Sequence, residues 1–292
     1  MSSGIDPKVD FAFKWLFGRL ATAALLIDLL NAVLQLPPGQ RIVHIEILNP
    51  FTEKAAFDEK LSILDIKARD QIGRHFNVEM QMIGFAELPQ RIMFYWSKLY
   101  TEQLPAGRDY SLLQPTISVC FVDGTIFPGK VYHSRFGLID RATGAVFTED
   151  LDIHLFELAK FNKGAEELES EIDQWLYFLK HGETLDEKAL PATIDDEAIR
   201  QAVEELMVLS KRDLEREIYE GREKMRRDEN ARMRHALQQG LQQGLQQGML
   251  IGQVLLLQSS LGDEATPEAS LQSMSLDELR QLRDQLQQRS RL

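Results

Sequence analysis

Leu61-Ser62-Ile63-Leu64-Asp65-Ile66-Lys67-Ala68, followed by Phe76-Asn77-Val78-Glu79-Met80-Gln81-Met82, is the stretch whose reading decides the fold. Each run alternates as a strand does, so successive side chains point to opposite faces of a sheet. In the second run Phe76, Val78, Met80 and Met82 share one face, and Asn77, Glu79 and Gln81 share the other. In the first run Asp65 and Lys67 share a face. The polar segment Arg69-Asp70-Gln71-Ile72-Gly73-Arg74 between them reads as a hairpin connection. A hairpin centred near Ile72 sets Asp65 opposite Glu79, because both are equally far from it in sequence.

Cross-strand neighbours lie roughly 4.5–5.5 Å apart at Cβ, and like charges at that separation destabilise a sheet. A hard divalent cation removes the penalty. Mg²⁺ takes oxygen ligands, commonly one or two carboxylates with waters and phosphate oxygens. Such an ion can activate a water and stabilise the charge of a phosphodiester displacement. Lys67 can add positive charge, whereas the Gln81 amide can only orient a water or a phosphate through hydrogen bonds. The bland reading of the same pattern is the exposed polar face of an ordinary hairpin. Spacing alone leaves both open.

Outward from the hairpin, the N-terminal flank over residues 7–35 reads as helical, with Leu25, Leu26, Leu29, Leu30 and Val33 at helical spacing. Pro37-Pro38-Gly39 ends it. Residues 41–49 suggest a strand. On the C-terminal side a helix starts near Pro89 and runs to about Glu102. Arg91, Tyr95, Lys98 and Glu102 fall on one face of it. That face is either a stripe meeting DNA phosphates beside the hairpin, or a solvated surface with a Lys98–Glu102 ion pair. Thr116–Val122 reads as a strand buried on both sides, and Val131–Ile139 and Ile153–Leu158 as further strands. The mixture predicts an α/β core with helices on a central mixed sheet.

Beyond about residue 165 strand signals vanish. Residues 211–234 mix nine Lys+Arg with seven Asp+Glu, the pattern of a long solvated helix. Leu237-Gln238-Gln239-Gly240 then repeats at 241–244 and 245–248, and in degenerate form at 249–252. Each glycine costs a helix about 1 kcal/mol relative to alanine. The repeat is read either as a self-association stalk, making the chain a homo-oligomer through its C-terminal helices, or as a low-complexity tail.

Composition bounds the partners. The net charge is −12 over 292 residues. Residues 1–163 carry 17 Lys+Arg against 19 Asp+Glu, and the remainder 16 against 26, so the acidity is mainly C-terminal. A strongly basic DNA-coating protein is excluded, and non-specific affinity for nucleic acid is expected to be modest. No apolar run of about 18 residues suggests a membrane span, and the first residues do not resemble a secretory signal. The single cysteine, Cys120, lies in an apolar run and is read as a buried thiol, which fits a cytoplasmic location.

Several blocks in order resemble a known family. They are residues 10–18 (DFAFKWLFG), 64–70 (LDIKARD), 78–81 (VEMQ), Arg91 through Tyr95 to Lys98-Leu99-Tyr100, Gly107-Arg108-Asp109-Tyr110, and 156–161 (FELAKF). Together they cover roughly the first 163 residues. The chain resembles the PD-(D/E)XK nuclease superfamily and, within it, the Rpn group of recombination-promoting nucleases and transposases.

The resemblance implies a restriction-endonuclease-like core over residues 1–163 and a helical extension over 164–292. It implies a Mg²⁺-dependent DNA endonuclease that promotes recombination. Asp65 and Glu79 would hold the metal, with the Met80 carbonyl as a further ligand. Gln81, Lys67 and Asp10 would serve catalysis, and Arg91 and Lys98 would contact DNA. The chain departs from the superfamily pattern twice: no proline precedes Asp65, and Gln81 stands where lysine is usual. The subfamily commonly carries glutamine there. These departures, with the acidic charge, motivate a second reading: a weak or inactive DNA-binding or assembly protein that keeps the nuclease fold.

Overall fold

The computed structural model describes residues 2–51, 65–81 and 87–290. Alternation and turn chemistry make the hairpin. Strand β2 (Asp65–Asp70) pairs antiparallel with β3 (His75–Gln81). Asp70 builds the turn: its Oδ1 accepts the backbone N–H of Ile72 at 3.1 Å and of Arg74 at 2.9 Å. Its Oδ2 accepts Arg74 Nε at 2.6 Å. Gly73 sits at φ +91°, a left-handed conformation that glycine adopts without steric cost.

The sheet extends in both directions. Strand β1 (Ile45–Ile47) pairs antiparallel with β2, while β4 (Thr116–Val122) runs parallel to β3. Strand β6 (Val146–Glu157) is parallel to β4, and β5 (His133–Ile139) is antiparallel to β6 at the edge. The order is β1-β2-β3-β4-β6-β5. Every residue of β4 is buried, as its unbroken apolar run predicts for a central strand. Strand β6 starts seven residues earlier than the expected Ile153. The cause is a turn at Asp140, whose Oδ1 accepts the N–H groups of Ala142 and Thr143 and folds residues 146–152 back onto β5.

One face of the sheet carries the main core. Phe76, Val78 and Met80 of β3 join Ile117, Val119 and Phe121 of β4 there. Helices α1 (Asp10–Phe17) and α2 (Ala23–Leu34) contribute Phe13, Trp15, Leu25 and Leu29 to it. The single helix expected over residues 7–35 is broken, and its two halves bend by 67°. Gly18 N–H closes α1 on Lys14 O at 2.8 Å. A Cβ there would lie 2.9 Å from that oxygen and 3.3 Å from Phe51 Cβ, so the close approach requires glycine. Helix α2 ends at Gln35, in the left-handed region at φ 50°, ahead of the two prolines.

Helix α3 (Leu88–Glu102) covers the opposite face. Its Leu88 and Ile92 bury against Cys120, Val122, Ile153 and Leu155 in a second, smaller core. Helices α4 (Glu171–His181) and α5 (Glu197–Lys211) do not form a separate extension. Trp175, Phe178, Ile199 and Leu206 bury in the main core. The chain divides into compact units Met1–Lys224 and Met225–Leu292, so the boundary expected after residue 163 does not coincide with theirs. The amphipathic faces of α4 and α5 cover core surface that would otherwise meet water.

Helix α6 spans Asp213–Leu261 and includes the glutamine-glycine repeat. In the second unit its Leu250, Ile251 and Val254 form a small core with Leu271 of α7 (Glu268–Gln272) and with Leu279 and Leu286 of α8 (Leu276–Arg289). Among the described residues no single helix is long and apolar enough to cross a membrane.

Candidate active site

The hairpin register places Asp65 directly opposite Glu79 and Lys67 opposite Asn77. Across the parallel ladder, Asn77 pairs with Ser118, Glu79 with Cys120 and Gln81 with Val122. Asn77, Glu79, Gln81 and their β4 partners share the face beneath α3, so β3 presents the three polar side chains between the sheet and that helix.

Glu79 is only 1% exposed. A buried carboxylate is costly unless hydrogen bonds and charge meet it. Here Asn77 Nδ2 donates to Oε1 at 3.0 Å and Gln81 Nε2 donates to Oε2 at 2.8 Å. Both amides come from the same strand at two-residue spacing, so local alternation alone brings them to the carboxylate. Arg91 Nε approaches Oε2 at 3.9 Å from α3. Its guanidinium also lies 5.3 Å from the Tyr95 ring centroid, a cation–π contact.

Helix α3 is a rigid mount for Arg91. Trp96 Nε1 donates to Thr116 O at 2.8 Å, and Tyr100 OH donates to Asp150 Oδ2 at 2.7 Å. Burial, reinforced by that bond, pushes the Tyr100 hydroxyl up to about 12. Gln103 closes the helix end by donating to Thr116 Oγ1 at 2.8 Å and accepting Gln114 N–H at 2.9 Å.

The remaining expected site residues are engaged elsewhere. Lys67 Nζ lies 2.9 Å from Glu102 Oε2, and Lys98 Nζ is 4.0 Å from Glu102 Oε1. Asp10, on the first turn of α1, is 3.8 Å from Arg222 of α6. The Arg91–Lys98–Glu102 face therefore leans on the hairpin at both ends, through Glu79 and through Lys67.

Three buried polar atoms on this face have no hydrogen-bond partner among the described residues: Asn77 Oδ1, Ser118 Oγ and Arg91 Nε. Buried polar groups are nearly always paired, so such a group requires an explanation. Asn77 was legible as a member of the polar stripe but not as a donor to Glu79. Ser118 gave no signal, being one hydroxyl inside an apolar run.

No cluster of three or more His, Cys, Asp or Glu side chains gathers among the described residues. The oxygen chemistry here is that of a hard cation. Both Glu79 oxygens accept an amide hydrogen, from Asn77 and from Gln81. Asp65 is the cross-strand partner of Glu79 in the ladder, and Mg²⁺ commonly uses one or two carboxylates alongside waters and phosphate.

A mixed sheet flanked by helices, with an acid pair on the second and third strands, defines a restriction-endonuclease-like α/β protein. A sequence model described as PD-(D/E)XK nuclease family transposase matches residues 7–236, and the chain belongs to that family. No curated protein and no solved structure matches it. Membership supports a nuclease- or transposase-like role of the hydrolase type, in a family that typically uses divalent metal ions.

Proposed function

We propose that the protein is a Mg²⁺-dependent DNA endonuclease whose metal is held by Asp65 and Glu79. The pairing of Asp65 with Glu79 in the β2–β3 ladder, within a chain of this family, carries the reading. The bound cation would supply charge neutralisation at the phosphate and a more acidic water. The Met80 carbonyl would be a further ligand.

The protein's own residues position the reaction. Asn77 and Gln81 fix the Glu79 carboxylate through the two amide hydrogen bonds. Lys98, 55% exposed on its side chain, would meet a backbone phosphate. Lys67 and Asp10 have supporting roles, each restrained by its ion pair. In the hydrolysis a water oxygen bonds to phosphorus as the bond to a deoxyribose oxygen breaks. The water gives up a proton and the leaving oxygen takes one. Promotion of recombination would follow from the breaks so made.

Self-association belongs to the same reading. Leu237, Leu241, Leu245 and Met249 are exposed at four-residue intervals along α6, beside a glycine stripe that permits close approach of a second helix.

The test is cleavage of supercoiled plasmid by purified protein, with and without Mg²⁺, beside Asp65→Ala and Glu79→Ala. Metal-dependent nicking or linearisation lost in both variants is the expected result. Cleavage surviving in both would discard the site. DNA binding with no cleavage under any divalent metal would favour the inactive assembly reading.

A further inference from the structure

Phosphodiester hydrolysis builds negative charge on the phosphoryl oxygens, and a cation fixed beside them stabilises it. The Gln81 amide next to Glu79 is neutral and supplies none. Among the other described cations near this face, Lys67 lies 2.9 Å from Glu102, Arg69 2.6 Å from Glu46 and Lys160 2.6 Å from Glu157, while Lys98 is 55% exposed and 4.0 Å from Glu102. Arg91 differs. Its approach to Glu79 at 3.9 Å is too long for a hydrogen bond. Its buried Nε–H has no acceptor among the described residues. The side chain as a whole is 30% exposed, so the guanidinium is both desolvated and reachable.

We infer that Arg91, rather than Lys67, is the catalytic cation of this site, donating to a non-bridging oxygen of the scissile phosphate. The inference rests on the nuclease reading above. In the DNA-free protein the Arg91 charge stands 3.9 Å from buried Glu79. When substrate arrives, the unused Nε–H and the remaining guanidinium donors have a phosphate to meet, in a forked geometry that suits arginine. The Tyr95 ring lies beside the guanidinium, 5.3 Å from its Cζ to the ring centroid. The role assigned is thus chemical, beyond the backbone contact that the helix stripe alone suggests.

The assignment makes two readouts move in opposite directions. Arg91→Ala removes a positive charge from beside a metal-binding carboxylate. Binding of Mn²⁺ to the DNA-free protein, measured by calorimetry, is therefore expected to tighten several-fold. Plasmid cleavage at saturating DNA is expected to slow by about 100-fold, the scale of losing one oxyanion donor. Arg91→Lys, which keeps the charge without the fork, is expected to fall between, and free guanidinium is expected to restore part of the Arg91→Ala rate. A packing role alone would weaken Mn²⁺ binding and cleavage together and give no guanidinium rescue. Either that pattern or an Arg91→Ala rate within threefold of wild type would overturn the inference while the nuclease reading stood. Wild-type protein that bound Mn²⁺ but cleaved no better than Asp65→Ala would overturn both.

Discussion

Lys67 reaches from β2 to α3 and holds Glu102 at 2.9 Å. The contact ties the hairpin to the helix that covers it, and it engages a lysine whose position in the strand pattern points to catalysis. Its two side chains are 19% and 47% exposed, so its contribution to stability is small.

Lys67→Ala is accordingly expected to lower stability by no more than about 1 kcal/mol. Cleavage is expected to persist within about tenfold of wild type, a span of about 1.4 kcal/mol in the barrier. Chemical denaturation and the plasmid assay measure the two effects. A loss as complete as that of Asp65→Ala would return Lys67 to the centre of the site.

The hairpin register depends on its turn. Asp70→Ala leaves the N–H groups of Ile72 and Arg74 without their carboxylate acceptor, and Asp70 is itself buried. An unsatisfied donor costs about 1–3 kcal/mol when buried, and less at this part-exposed turn. Gly73→Ala places a side chain at φ +91° and 3.3 Å from Gln114 Cγ. Both variants are expected to lower the denaturant midpoint. Unchanged midpoints would show that the strands themselves hold the register.

The β5–β6 edge is expected to be acid-sensitive. His133 stacks on Phe156 with centroids 4.1 Å apart, and its Nε2 lies 3.1 Å from His154 Nδ1. Burial, with the neighbouring His154 and Arg135, pushes His133 from its ordinary 6.5 to about 4. Between those values the unfolded chain binds more protons, so stability is full above pH 6.5 and is lost as pH falls towards 4. Burial raises Asp152, but the His154 imidazole 3.4 Å away and the two hydrogen bonds from Arg135 outweigh it and bring the carboxyl to about 2. Its contribution disappears below pH 3.8 in the same direction. Thermal melts at pH 7 and pH 5 are expected to differ less for His133→Phe than for wild type. Equal differences would remove the pair as the cause.

The exposed leucines of α6 bear on assembly. Replacing Leu237, Leu241 and Leu245 with glutamine keeps helix propensity and removes the apolar stripe. Light scattering is expected to report a smaller solution mass for this variant than for wild type. An unchanged mass would leave the repeat without a part in self-association.

Alternation with a two-residue period, a polar turn containing glycine, and equal distances from Ile72 sufficed to pair Asp65 with Glu79. They work because strand register is a local property once the turn is set. The same locality made β4 legible as buried and the start of α3 legible at Pro89. Contacts between distant segments were not. Gly18, where the first helix ends, leaves no room for a Cβ beside Phe51, and Trp175 and Ile199 join the main core with residues of α2. Lys67 and Arg91 both lie within reach of the acids in sequence, and no periodicity ranks them. Only the packing of α3 on the sheet decides which cation meets Glu79, because that choice depends on side chains from two elements meeting across a buried layer.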